Sequence, residues 1–449
     1  MLRNSRSLTL ALGLGVLAGR ASAQSAEDPV LDALVREAMA HNPDVVAARA
    51  AVDAARQRPA QARALPDPML SAAYTNDGWG PSLGEMPMAT LALMWSQELP
   101  WPGKRELRGK LAEREADQTE PQFQRVRLSL EAQVRRAYAD LLLSRQVLEL
   151  VAEQGNVWQQ IEGVTRARYA VGQGAQQDVL RAQIELTRVE QLRTEQALEA
   201  EVRLAELNRL AARPADTPLE TPARIRLGPG GGGLDAELQR ALEKSPELQA
   251  AAATIERERL AVALARKEFK PDFTVQGGYM NRGALDAMWQ AGVGITLPVY
   301  KKKRAAAVAE AEARLRGVEQ QVESIRLLLR FRTQERLAQL RSAESLVALY
   351  DKGIVPQDQM SVEAAVANYQ AGKVPFLAVL ESLATLYSDR TTQLQLLAAH
   401  TKTRASLEEA SLEARSGAMP AGAVRGFGGT GAGGASGAAS PSGMGSMGR

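Results

Sequence analysis

Six methionines, Met69, Met86, Met88, Met94, Met280 and Met288, gather in two short stretches of a chain that has no cysteine. Thioether sulfur suits soft ions such as Cu(I), although methionine is also a pliable filler of apolar space. Met444 and Met447, near the C-terminus, read as incidental. Neither of the two histidines, His41 before a proline and His400 late in a helical stretch, belongs to a ligand motif. Gly172-x-Gly174 lacks the third glycine of a dinucleotide fingerprint, and the run Gly230 to Gly233 lacks the Lys-Ser/Thr of a phosphate loop. The residues therefore predict no enzyme, no cofactor and no built metal site. What they offer is contact with a soft ion.

The elements that position these residues begin with an export signal. Arg3 and Arg6, the apolar run Leu8 to Leu17 and Ala21-Ser22-Ala23 before Gln24 predict a signal peptide over residues 1–23. That run is too short to span a bilayer, which takes about 20 apolar residues. Every later apolar-rich stretch carries a charge within a turn or two, so entry into a membrane would have to be by strands. A formal charge of +3 over 449 residues, with arginines alternating with glutamates, predicts solvated helix faces and no nucleic-acid partner.

The chain reads as duplicated with a period of about 200 residues. Leu31-Asp32 and Asn42-Pro43 answer Leu234-Asp235 and Ser245-Pro246, and Pro66-Asp67 answers Pro271-Asp272. Leu99-Pro100 with Lys104-Arg105 answers Leu297-Pro298 with Lys302-Lys303, and Tyr169-x-x-Gly172 answers Tyr369-x-x-Gly372. Each half is helical, switches to period-2 alternation, then returns to helix. Phe273, Val275 and Tyr279 alternate with Thr274, Gln276 and Gly278, and Trp289, Ala291, Val293 and Ile295 alternate with Gln290, Gly292, Gly294 and Thr296. Leu70, Ala72, Tyr74, Leu91, Leu93 and Trp95 repeat the pattern less cleanly in the first half.

Long helices are expected from Gly103 to about Val171, with Pro121 inside, and from about Lys302 to Ala371, interrupted by Pro356. Each would be roughly 100 Å long. Leu130, Val134, Ala137, Leu141, Leu148, Val151 and Trp158 form a coiled-coil seam on the first. Helices over 175–212 and 234–268, of roughly 57 and 52 Å, match one long helix when stacked, and 28–63 with 376–415 pair by the same arithmetic. The expected organisation is a first repeat over 24–212 with a hairpin at about 69–98, a Pro/Gly-rich equatorial linker over 213–233, a second repeat over 234–415 with a hairpin at about 272–297, and a disordered tail over 416–449.

Amphipathic hairpins suit a half-buried soluble sheet or a lipid-facing barrel. Aromatic residues are only 4% of the chain, yet Tyr74, Trp79, Trp95, Trp101, Tyr279, Trp289 and Tyr300 cluster at the hairpins, where an interfacial girdle would place them. Trp95, Val275, Tyr279, Trp289, Val293 and Ile295 are therefore expected to face lipid. Four strands cannot close a membrane barrel, whereas three copies supply twelve and leave a passage. The fold class expected is mainly α with a small β part: duplicated long-helix coiled-coil hairpins forming an α-barrel, plus four strands per chain in a trimeric transmembrane β-barrel. A structural coiled-coil rod whose hairpins pack together in water is the alternative.

Tyr169-Ala-Val-Gly172-Gln-Gly-Ala-Gln-Gln-Asp178-Val-Leu180 and its echo from Tyr369 to Glu381, set in this duplicated order, resemble the TolC-like outer-membrane efflux factors over about residues 28–412. The resemblance implies an outer-membrane exit duct with a large periplasmic portion, a homotrimer that meets a periplasmic adaptor protein and an inner-membrane pump. It makes Tyr169, Gly172, Gly174, Asp178, Tyr369, Gly372, Lys373 and Pro375 the periplasmic tip where the adaptor docks. It makes Glu381 the pore constriction, where three carboxylates would ring the axis. Lys373 alone represents the basic residues of the family's interprotomer lock. Pro66-Asp67-Pro68-Met69 and Gln97-Glu98-Leu99-Pro100-Trp101-Pro102-Gly103-Lys104-Arg105 look most like the heavy-metal branch, which implies an RND-type pump and a metal cargo. A type I protein-secretion outlet remains the alternative within transport.

Overall fold

The computed structural model describes residues 28–76, 79–80, 82, 88–222, 224–228, 230–410 and 412. The expected signal peptide and tail, and Met86, lie outside them. The first half runs α1 (Pro29–His41), α2 (Pro43–Ala55), α3 (Arg58–Arg63), β1 (Met69–Thr75), β2 (Thr90–Leu99), α4 (Lys104–Asp117), α5 (Thr119–Ala170) and α6 (Gln176–Leu210). The second runs α7 (Leu234–Lys244), α8 (Pro246–Lys267), β3 (Asp272–Arg282), β4 (Leu285–Thr296), α9 (Lys301–Leu349), a π-helical stretch Tyr350–Ile354, α10 (Val355–Gln370) and α11 (Phe376–Glu408).

The expected single helices over 28–63 and 234–268 are each divided. Asn42 and Ser245 take extended backbone, with ψ 126 and 115, because the following proline rings exclude the helical conformation from the residue before them. Each then caps the new helix, Asn42 on the Asp44 amide at 2.9 Å and Ser245 on the Leu248 amide at 3.4 Å. The long helix expected from Gly103 to Val171 is interrupted once, at Gln118 between α4 and α5, where the backbone stays right-handed helical at φ -75 and ψ -22. Pro121 lies in the first turn of α5, where its missing N–H costs little, so α5 continues for 52 residues, about 78 Å. Pro356 opens α10 just after the π-helical stretch, which absorbs the irregularity without ending the rod.

The core follows the helix seams. Leu130, Val134, Ala137, Leu141, Val151 and Trp158 are buried as the heptad spacing requires, but Leu150 takes the place expected of Leu148. Leu34, Val52, Leu130, Leu141 and Leu207 form one cluster. Towards the helix turns, Trp158, Ile161, Val189, Phe376, Val379 and Leu383 form another. The stretch between α6 and α7 is pinned by side chains: Asn208 donates to the carbonyls of Ala215 and Thr217 at 3.0 and 2.9 Å, and Arg145 to Leu219 and Thr221 at 2.9 and 2.6 Å. Asn42 donates to the Leu210 carbonyl at 3.0 Å, and Arg213 pairs with Glu37, so α1 and α2 start against the same level.

All four strands form one antiparallel sheet in the order β1-β2-β3-β4. The central pair, β2 with β3, joins the two halves through the register Leu99↔Phe273, Gln97↔Val275, Trp95↔Gly277 and Leu93↔Tyr279. β1 and β4 are edges, each hydrogen-bonded to a strand on one side only.

Candidate functional site

Alternation sorts the sheet into two chemically distinct faces. Trp95 sits opposite Leu70 and Gly277, Tyr279 opposite Leu93 and Trp289, Val275 opposite Gln97 and Val293, and Phe273 opposite Leu99 and Ile295. Because side chains one register step apart point to opposite sides, Trp95, Val275, Tyr279, Trp289, Val293 and Ile295 all share one face. That face is exposed across all four strands: Leu70 by 66%, Trp95 by 42%, Tyr279 by 54% and Trp289 by 80%. Water would not tolerate an apolar surface this continuous without a cover. No helix among the described residues is long and apolar enough to cross a membrane.

The opposite face carries Ser71, Ser96, Thr274, Gln276, Gly292, Gly294 and Thr296. It also carries four of the methionines picked out by sequence, Met69, Met94, Met280 and Met288, with Met280 directly opposite Met288. The Met94 sulfur accepts from the Gln290 amide at 3.6 Å. Thioethers thus stand among hydroxyl and amide groups, where an ion moving along that face would meet them.

Where the sheet meets the helices, Lys104 is 1% exposed. Its ammonium donates to Glu268 at 3.1 Å, to both Asp272 oxygens at 3.0 Å and to the Lys270 carbonyl at 3.0 Å. Asp272 also accepts from the Trp101 amide at 2.7 Å, and the Trp101 ring stacks on Phe273 at 5.7 Å. One cation therefore ties the end of α8, the start of β3 and the start of α4.

The opposite end holds two helix turns. Gly172 and Gly372 take φ +74 and +71, a conformation that costs other residues. Each closes its helix with the same pair of bonds, Gly172 to Tyr169 and Gln173 to Arg168 at 3.0 and 2.9 Å, and Gly372 to Tyr369 and Lys373 to Asn368 at 3.0 and 2.9 Å. A side chain at Gly174 would come within 3.1 Å of the Tyr169 nitrogen, so that position must stay small. Asp178 lies in the first turn of α6 and Pro375 caps α11.

The two tip tyrosines are not equivalent. Tyr369 is 4% exposed, packs against Phe376, lies under the Arg168 guanidinium at 4.5 Å and donates to Asp178 at 3.0 Å. Burial first, and the Asp178 carboxylate second, push its phenol up to about 12. Tyr169 is 48% exposed, and the position matching Asp178 in the second half is Ala378. The Tyr369–Asp178 bond therefore brings the two turns together within one chain. Lys373 and Glu381 are exposed near them.

Sequence reasoning missed two further clusters. Glu409 accepts from Arg125 and Arg136 at 2.8 and 3.0 Å while Arg125 also reaches Glu247 at 2.8 Å, which joins α5, α8 and the end of α11. Asp358, just after the π-helical stretch, is pushed up to about 6 by burial and by its hydrogen bond with Asp389. Only long-range pairing reveals either one.

The family model described as outer membrane efflux protein matches residues 34–212 and 238–411. The cobalt-zinc-cadmium resistance protein CzcC of Cupriavidus metallidurans is 27% identical over 308 residues, 66% of this chain and 70% of that protein. Among solved structures, CusC superposes with a TM-score of 0.70 at 20% identity, over 85% of this chain and 92% of that one. The outer membrane protein VceC of Vibrio cholerae superposes with a TM-score of 0.72 at 20% identity, over 85% of this chain and 96% of that one.

Proposed function

Because this chain belongs to the outer membrane efflux protein family, we propose that three copies of it join their sheets into one barrel and carry heavy-metal cations out of the cell. The chain is the outer-membrane channel component of a tripartite efflux system, with a large periplasmic portion. The observation that carries the trimer is the sheet itself. It has one apolar face spanning four strands and two unpaired edges, and four strands are too few to close. Two copies would give a barrel filled by its own side chains, whereas three leave an aqueous passage lined by the Ser/Thr/Gln/Met face. A rod in water would leave Trp289, Val293 and Ile295 uncovered, so the lipid-facing reading accounts for more.

Residues 24–212 and 234–415 act as two repeats around the 213–233 linker, residues 1–23 direct export, and the whole is a passive duct without catalysis. The turns at Tyr169, Gly172, Gly174 and Asp178 and at Tyr369, Gly372, Lys373 and Pro375 receive a periplasmic adaptor, and an RND-type inner-membrane pump supplies the energy. Metal cargo is favoured by the relative named for cobalt, zinc and cadmium resistance and by the thioethers on the polar face. A strain lacking the protein should become sensitive to cobalt, zinc, cadmium or copper salts, and unchanged tolerance to all four would remove the metal cargo. The detergent-solubilised protein should have the mass of three chains, and a folded monomer that ignores lipid would end the reading.

Glu381 is exposed five residues into α11, close to the tip. In a trimer it sets three carboxylates around the axis, which attract cations at the narrow end. Glu381→Ala should lower the cation preference of the channel in planar bilayers severalfold. Unaltered ion selectivity would take Glu381 out of the pore.

A further inference from the structure

The Lys104 clamp has a counterpart whose two halves lie at opposite edges of the sheet. By the internal repeat, Lys302 follows β4 as Lys104 follows β2, and Asp67, two residues before β1, answers Asp272 at the first position of β3. Lys104 and Asp272 meet because β2 and β3 are neighbours. Asp67 and Lys302 are exposed and, among the described residues, form no ion pair. Each is the half of a clamp whose other half the same chain cannot reach.

Resting on the trimeric reading above, we infer that Asp67 of each subunit pairs with Lys302 of the next, and that this pair sets the register in which β4 meets the neighbour's β1. Carrying the β2–β3 register over to that seam puts Ile295 against Leu70, Gly294 against Ser71 and Val293 against Ala72 of the next subunit. Leu70, Ala72, Val293 and Ile295 all belong to the apolar face, and Ser71 and Gly294 both belong to the polar one, so the seam continues each face without a break. A slip of one residue would turn one subunit's apolar face to water.

The seam is a reduced version of the internal clamp. Glu268, the second carboxylate on Lys104, has Arg63 as its counterpart, and Arg63 is already engaged by Glu113. The intersubunit pair therefore has one acid and one base. It is buried only on assembly, where its Coulomb attraction strengthens as water leaves.

The absence of native cysteine makes the seam testable by cross-linking in the full-length protein in membranes. Ser71→Cys with Gly294→Cys should give covalent trimers on oxidation, because directly opposed strand residues lie within disulfide reach and residues two steps away do not. A side chain at Gly294 meets only ordinary contact with Thr274 at 3.7 Å. Cross-linking of Ser71→Cys with Thr296→Cys in place of that pair would overturn the register, as would no cross-link in a sample with the mass of a trimer. A monomeric mass would instead overturn the trimer itself. Asp67→Lys and Lys302→Asp should each lower the temperature at which the trimer dissociates, and the double swap should recover most of the loss. A double swap no better than the worse single change would overturn the ion pair.

Discussion

Lys104→Met should strip the protein from the outer membrane, with the loss of folded protomer costing about 3–5 kcal/mol, the usual penalty for removing one partner of a buried ion pair. Methionine matches the lysine stem in length and supplies no donor. Asp272 and Glu268 would then be left without the ammonium that both use, and the Lys270 carbonyl would lose its donor as well. Arg108 reaches Glu268 at 3.5 Å but has no bond to Asp272, so it compensates only one of the two acids. The damage falls where α4, α8 and β3 converge, so it should loosen the β2–β3 pairing that unites the halves. The amount of heat-modifiable protein in isolated outer membranes measures the effect. Lys104→Met at wild-type level and stability would show that the cluster contributes little. Lys104→Arg keeps the charge but needs more room than a 1% exposed site offers, and should fall between the two.

That cluster also marks the limit of what the sequence discloses. Alternation in β3 and β4 was readable because a period of two needs no distant information, and the side-chain sorting follows it strand by strand. The first hairpin is noisier because Ala73 and Ala92 join Met69 and Met94 on the polar face while Gln97 falls on the apolar one. Asn42-Pro43 and Ser245-Pro246 served in the sequence only as repeat markers, although their capping residue before proline already spells a helix start. Lys104 lies 164 and 168 residues from Glu268 and Asp272, so nothing local separates it from the solvated Lys302. The same applies to Tyr169 and Tyr369, whose surrounding motifs match closely. Tyr369 has Phe376 and Asp178 as partners where the matching positions for Tyr169 are Gln176 and Ala378, a difference visible in the sequence but meaningful only once the turns are seen to touch.

The tip glycines make the sharpest functional test. Gly172→Ile and Gly372→Ile should abolish efflux-dependent resistance while the trimer and its outer-membrane level persist. A β-branched side chain at φ near +70 carries a local cost of about 1–2 kcal/mol or more, which the turn can relieve only by giving up its closing bonds. Space is not the cause: nothing lies within 4 Å of a side chain at Gly172, and at Gly372 the nearest atom is the Arg168 guanidinium at 3.5 Å. The strain therefore acts on the backbone course between the helices, which fixes the surface that an adaptor would touch. Gly172→Asn should retain most activity, since asparagine tolerates the left-handed region, and this rescue separates turn geometry from simple bulk. Gly163→Ala, two turns before the end of α5 with nothing within 4 Å, should leave resistance unchanged. Full resistance in both isoleucine variants would dissociate these turns from adaptor docking, and loss of the trimer in either would mean that the turns hold the helices together before they meet any partner.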